Sequence, residues 1–274
     1  MKKDRTRELE AFARVLDVMD ELREKCPWDR KQTMESLRPQ TIEETYELSD
    51  AILHNDEHNV AKELGDLLLH VVFYAKIGSE RGTFDIAQVM DLLCEKLIFR
   101  HPHVFGETAV SGAEQVVQNW EQLKMKEKDG NKRILSGVPE SLPPLLKAYR
   151  MQDKARAVGF DWEERGQVWD KVKEELAEFH AELDQTLSDP TDAQARAKAE
   201  GEFGDVLFSI VNAGRLYDLN PDTALERTCA KFRRRFTYLE EHTIRQGRDL
   251  KDMTLAQMDE IWDEAKALEK EGKL

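Results

Sequence analysis

The chain has 274 residues, 55 acidic against 41 basic, for a formal net charge of −14, and it is 35% charged yet 40% hydrophobic. Enough apolar residues remain to bury a core, which excludes charge-rich disorder, and the acidic balance disfavours binding a nucleic-acid polymer, whose phosphates need a basic surface. No run approaches the roughly 20 apolar residues of a membrane span, no apolar leader follows MKKDRTRELEAF, and three scattered cysteines (Cys26, Cys94, Cys229) fit a reducing cytoplasm better than a disulfide framework or a zinc site.

Glycine (14) and proline (8) are scarce, and helical periodicity is nearly continuous. Leu9, Phe12, Val15, Leu16 and Met19 predict a first amphipathic helix. A second is expected after Pro39, with Thr41 as N-cap and Glu44 as its capping-box partner, ending near Leu53. A third runs from Glu57 to about Ile77. It is so apolar around Leu64, Leu67, Leu68, Val71, Val72 and Tyr74 that burial on most sides is expected. Asp85 is the cap of a fourth, which ends near Arg100 before Pro102, and a fifth is predicted from Ser111 through Trp120 to Lys128. Residues 129–145, DGNKRILSGVPESLPPL, hold three prolines and two glycines and read as a linker. Further helices are predicted from about Pro144 to Val158 and over 165–186, 192–217, 222–245 and 254–271. The fold class is all-α in two parts, 1–130 and 144–274, joined by a linker at 131–143.

The two parts repeat one pattern. IEETYEL (Ile42 to Leu48) precedes KELGDLLLHVVFYA (Lys62 to Ala75), and KEELAEF (Lys173 to Phe179) precedes GEFGDVLFSIVNAG (Gly201 to Gly214). CPWDR and GFDWEE lie upstream; EKLIFRHPHVF, with Lys96 and Arg100, and AKFRRRF, with Lys231 and Arg235, lie downstream. Each copy ends on a Trp four residues before a Lys, Trp120 with Lys124 and Trp262 with Lys266. E-E-x-x-E alone is weak in so acidic a chain, but its recurrence ahead of E-x-G-D, in one order, argues for duplication.

Residues three or four apart share a helix face. Glu44 and Glu47 therefore project together, as do Glu63 with Asp66, Glu175 with Glu178, and Glu202 with Asp205. If the two helices of a copy pack antiparallel, four carboxylates converge and repel one another. A hard divalent cation relieves that repulsion, and Mg²⁺ commonly bridges carboxylates to substrate phosphates. Apolar flanks (Leu64, Leu67, Leu68; Phe203, Val206, Leu207) would set the acids at the rim of a dry core, and Gly65 and Gly204 suggest close helix approach. The plainer reading is a solvated face paired with Lys62, Lys171 and Lys173. Lys231, Arg233, Arg234 and Arg235 form a dense basic run suited to a triphosphate, the alternative being surface pairing with Glu240 and Glu241. Trp262 offers a stacking face, and Lys266 and Lys171 offer phosphate contacts. His101 and His103 read as loop residues, and no P-loop, G-x-G-x-x-G or G-x-S-x-G element is present.

The order CPWD, EETYE, ELGDLL, RHPHVF, WEQLK, then GFDW, EELAE, EFGDVLF, VNAGR, KFRRRF and W-x-x-x-K resembles the MazG nucleoside triphosphate pyrophosphohydrolases along nearly the whole chain. The resemblance implies tandem helical domains of four-helix-bundle type, an obligate homodimer in the cytoplasm, and Mg²⁺-dependent hydrolysis of nucleoside triphosphates to monophosphate and pyrophosphate with broad base tolerance. It carries metal ligands onto Glu175, Glu178, Glu202 and Asp205, and nucleotide contacts onto Lys171, Lys231, Arg235, Trp262 and Lys266. The C-terminal half is expected to hold the main activity. Glu44, Glu47, Glu63 and Asp66 match a second metal site, beside a thinner basic set, Lys96 and Arg100. The longer gap between acid motifs in the second half, around SDPTDAQA, leaves both motifs whole. Attack at the α-phosphorus is expected, with Glu174 or Glu175 accepting the proton of water. Two other functions compete: a narrower pyrophosphatase for dUTP, dCTP or a modified nucleotide, and an acidic helical scaffold for a regulatory protein partner.

Overall fold

In the computed structural model, residues 4–112, 115–116, 119–120, 123–124, 133–189 and 191–274 are described. Among them the regular elements are helices: α1 (Thr6–Lys25), α2 (Met34–Leu53), α3 (Glu57–Glu80), α4 (Ile86–Arg100), α5 (Pro102–Phe105), α6 (Pro144–Arg156), α7 (Gln167–Ser188), α8 (Ala193–Leu216), α9 (Pro221–Arg245) and α10 (Leu255–Lys270). The helix expected over Ser111–Lys128 and the start of the expected linker lie largely outside the described residues.

The chain divides into two units, 1–111 and 112–274. The division falls ahead of the proline-rich segment expected to separate them. The later part of that segment is packed structure: Ile134–Gly137 form a 3-10 turn against α6, and Leu135 lines a cavity of the second unit.

In the first unit α2 and α3 form the main hairpin, with α1 packed on α3. Met19, Leu37, Val72, Phe73 and Ile77 make the core, backed by Phe12, Val15, Leu16, Met34 and Tyr74. α2 begins at Met34, ahead of Pro39 and not after it. Thr33 caps it in a reciprocal box with Ser36, and Pro39 lies inside. Burial of Leu37 at 2% exposure and the capping bonds offset the one helical bond that a proline forfeits. Thr41 is thus not a cap. Its hydroxyl lies 2.7 Å from the Tyr74 hydroxyl and 3.0 Å from His70 Nδ1, tying α2 to α3. Asp85 caps α4 as expected, and Asp56 caps α3. His103 falls in the short helix α5, with its ring centroid 5.7 Å from that of His101.

In the second unit α7 and α8 form the larger hairpin and α9 and α10 a second, with α6 against α8 and α9. Val168, Val172 and Ala213 pack the first pair; Leu239, Met253 and Ile261 pack the second. α3 is not buried on most sides as expected: Leu64, Leu68, Leu69 and Val71 are exposed within the unit, as are Phe203, Leu207 and Ile210 on α8. Nor do Gly65 and Gly204 mark a close approach among the described residues, since a Cβ at either meets none of them within 4 Å. No helix among the described residues is long and apolar enough to cross a membrane, and the three cysteines are free thiols.

Candidate active site

Each of the two main hairpins places its own pair of acid motifs face to face. Helical spacing puts Glu175 and Glu178 on one side of α7, and α8 presents Glu202 to them; one carboxylate oxygen of each lies within 4.8 Å of the others. Glu44, Glu63 and Asp66 meet in the same way between α2 and α3. The fourth acid of each expected set, Asp205 and Glu47, stands outside its trio, although each raises a neighbouring carboxyl's pKa through its charge.

The electrostatics follow from that crowding. Burial, then the charges of Glu178, Asp205, Glu175 and Glu182, push the Glu202 carboxyl above the ordinary glutamate value. Burial and Glu47, Asp66, Glu63 and Glu43 do the same to Glu44. Glu175 is only 7% exposed and meets Lys171 Nζ at 2.7 Å. Lys171 also donates to the exposed Glu174 at 2.8 Å, and the two carboxylates raise its pKa. Glu63 is 5% exposed; one oxygen accepts from Lys62 at 3.0 Å and the other is buried without a partner. Glu182, one turn beyond Glu178, likewise has a buried, unpartnered Oε2. All-oxygen donor sets with orphaned buried acceptors suit a hard cation, so both clusters could hold a metal.

A cavity of about 590 Å³ opens beside the second cluster. Lys171, Glu175 and Asp205 stand at its polar side; Met151, Phe160, Trp162, Val168 and Phe208 give it apolar walls. Arg215, 6% exposed, closes it through a two-pronged ion pair with Asp161 and through Asn212, whose Oδ1 accepts from Nε and Nη2 at 3.0 and 2.9 Å.

The expected phosphate contacts lie on the other hairpin. Arg235 donates to Glu269 through Nε (2.9 Å) and Nη2 (2.6 Å), and its guanidinium lies 5.9 Å from the Trp262 ring centroid. Arg234 shares Glu269, so the basic run pairs with α10 and not with Glu240 and Glu241; Glu241 takes Arg245. Lys266 donates to Asp263 at 2.8 Å. Lys231 sits half-buried one turn before Arg235. In the other copy of the motif, Lys124 lies 4.4 Å over Trp120.

Sequence reasoning did not single out Gln152, and it quoted Asp161 and Trp162 (in GFDW), Phe208 (in EFGDVLF) and Asn212 and Arg215 (in VNAGR) without assigning them a role; the six come from three separated segments. The Asn212 and Arg215 spacing within an apolar helix was the available signal, as was Glu182 four residues after Glu178.

Helical hairpins that gather carboxylates, one of them beside a cavity, make an all-α scaffold with two clusters that could hold a cation through oxygen ligands. The family model of the MazG nucleotide pyrophosphohydrolase domain matches residues 32–105. The chain is 39% identical over 261 residues to a nucleoside triphosphate pyrophosphohydrolase of Escherichia coli, covering 93% of this chain and 97% of that one. It is 42% identical over 258 residues to the nucleoside triphosphate pyrophosphohydrolase/pyrophosphatase MazG of Thermotoga maritima, covering 93% and 95%. It is also 43% identical over 262 residues to the uncharacterized protein YabN of Bacillus subtilis, covering 94% of this chain and 52% of that protein. The chain belongs to the MazG family and is an enzyme of the acid-anhydride hydrolase class.

Proposed function

We propose that the chain is a cytoplasmic, Mg²⁺-dependent nucleoside triphosphate pyrophosphohydrolase that cuts at the α-phosphorus, giving a nucleoside monophosphate and pyrophosphate with broad base tolerance. The observation that carries this reading is the convergence of Glu175, Glu178 and Glu202 within 4.8 Å beside a cavity that also takes in Lys171 and Asp205. These carboxylates, with Asp205, would hold Mg²⁺, which when bound supplies Lewis acidity toward phosphate oxygens and an attacking water.

The chain's own groups divide the remaining work. Glu174, exposed and kept next to Lys171, accepts the proton of the attacking water; Glu175 is the alternative acceptor. Water oxygen bonds to the α-phosphorus as the bond to the α,β-bridging oxygen breaks. Lys231 and Arg235 offset the charge that develops on pyrophosphate, and Trp262 and Lys266 lie on the same hairpin.

The second unit is the better candidate for turnover. By register of the E-x-G-D motif, Phe73 and Tyr74 occupy in α3 the places of Asn212 and Ala213 in α8. Phe73 is buried in the core under Arg23, and Tyr74 bonds Thr41, so rings fill a helix face that borders a cavity in the second unit. The recurrence of the acidic hairpin supports a tandem duplication, and the exposed apolar faces of α3 and α8 support a homodimer.

Product analysis with several ribo- and deoxyribonucleoside triphosphates and Mg²⁺ tests the reading. Pyrophosphate and monophosphate are expected in equal amounts, and Glu175→Gln is expected to lower kcat by about 10²–10⁴-fold with helical content unchanged. Release of orthophosphate, or full activity in Glu175→Gln combined with Glu63→Gln, would overturn it.

A further inference from the structure

We infer that Gln152 is the residue that fixes the nucleobase in the cavity, through an acceptor held ready for a base N–H. The inference rests on the nucleotide-hydrolase reading above and names how that site takes its substrate. Gln152 projects from α6, lines the cavity and is 7% exposed. Its Nε2 donates to the Phe208 carbonyl at 2.8 Å. A carbonyl only accepts, so this bond sets the amide's orientation and leaves Oε1 as the group turned elsewhere. Oε1 is buried with no partner among the described residues. An orphaned buried acceptor is costly, and it is best explained where a ligand donor completes it.

A second amide on the wall is oriented by the same logic. Arg215 donates twice to Asn212 Oδ1, and a guanidinium only donates, so Asn212 leaves its Nδ2 hydrogens for a guest. Away from the side formed by Lys171, Glu175 and Asp205, the cavity therefore has one neutral amide acceptor and one neutral amide donor beside apolar walls. A donor beside an acceptor occurs on the hydrogen-bonding edge of adenine, cytosine, uracil and guanine alike. A pair of this kind holds any of the four without choosing among them, which gives broad base tolerance a physical origin. Phe160, 82% exposed at the cavity, and Trp162 provide rings that can lie on a base face.

The test pairs a protein change with a substrate change. On wild-type protein, N3-methyl-UTP, which lacks the edge N–H, is expected to show a KM about tenfold above that of UTP, with kcat within about twofold. In Gln152→Leu the KM for UTP is expected to rise to the level of the methylated substrate, while base-free ribose 5′-triphosphate is hydrolysed as by wild type. Calorimetry of UMP binding to the same two proteins reads the loss without turnover. Should Gln152→Leu not fold, the wild-type comparison of UTP with its N3-methyl form decides alone, and equal KM values overturn the inference. It is also overturned if 2′,3′-dideoxy-UTP, and not the methylated base, abolishes the difference between the two proteins, because the donor is then a sugar hydroxyl. Absence of pyrophosphate from every substrate with wild-type protein would instead overturn the underlying hydrolase reading.

Discussion

Glu202 keeps its proton to higher pH than an ordinary glutamate because burial and four neighbouring carboxylates oppose its charge. Folding therefore favours the protonated form. That contribution is complete below the unfolded value of 4.5 and is lost as pH rises through the raised folded value. Above that window the cation-free protein carries an uncompensated repulsion, which Glu202→Gln removes. The variant is expected to melt above wild type near pH 7 without divalent cations, the gap closing as pH falls toward 4.5. Mg²⁺ should raise the wild-type Tm more than that of the variant. Scanning calorimetry over this range with and without Mg²⁺ checks both signs. A variant less stable than wild type near pH 7 would mean that the carboxylate is held by a protein partner and not strained by its neighbours.

At the scale of elements, the α9–α10 hairpin prepares its arginine before any phosphate arrives. Glu269 holds Arg235 by Nε and Nη2, against Trp262. Nη1 is left out of that pair and can meet an anion, so Glu269 positions the guanidinium as well as neutralising it. Glu269→Ala is expected to raise KM for nucleotide about three- to tenfold, on the order of 1 kcal/mol, with kcat little changed. A fall in KM in steady-state kinetics would show that Glu269 competes with phosphate instead. Much of this architecture was legible from local rules. Asp85 caps where its side chain predicts, and i,i+3 spacing alone brings Glu175 beside Glu178. What escaped depends on distant partners. Pro39 suggested a boundary because its local cost is plain, whereas the burial of Leu37 that outweighs it comes from tertiary packing. Gln152, Asp161 and Arg215 look like ordinary polar residues until α6, the segment before α7, and α8 are brought together.

For the whole molecule, the question is what covers the apolar faces of the two acid-bearing hairpins. Leu64, Leu68 and Leu69 on α3, and Phe203, Leu207 and Ile210 on α8, are exposed on the same helices that carry Glu63 and Glu202. Apolar surface of this kind is what an association face would use, and a second copy is the occupant the proposed homodimer puts there. Gly204 points the same way. A glycine inside a helix costs about 1 kcal/mol relative to alanine, yet no atom of the described residues would obstruct a Cβ there. Gly204 and Leu207 are three apart and share a face, so a second copy seated on Leu207 would also meet Gly204. Placed on that face, a second copy would shield the carboxylate clusters from bulk water and strengthen their hold on a cation. Sedimentation is expected to show a dimer for the wild-type chain. Leu207→Glu should weaken self-association about tenfold or more while helicity is retained. Gly204→Ala should leave the isolated fold as stable or slightly more so, yet also weaken association. A wild-type monomer at assay concentration, or a Leu207→Glu chain that stays dimeric, would remove the second copy from the site and leave the apolar faces for another partner.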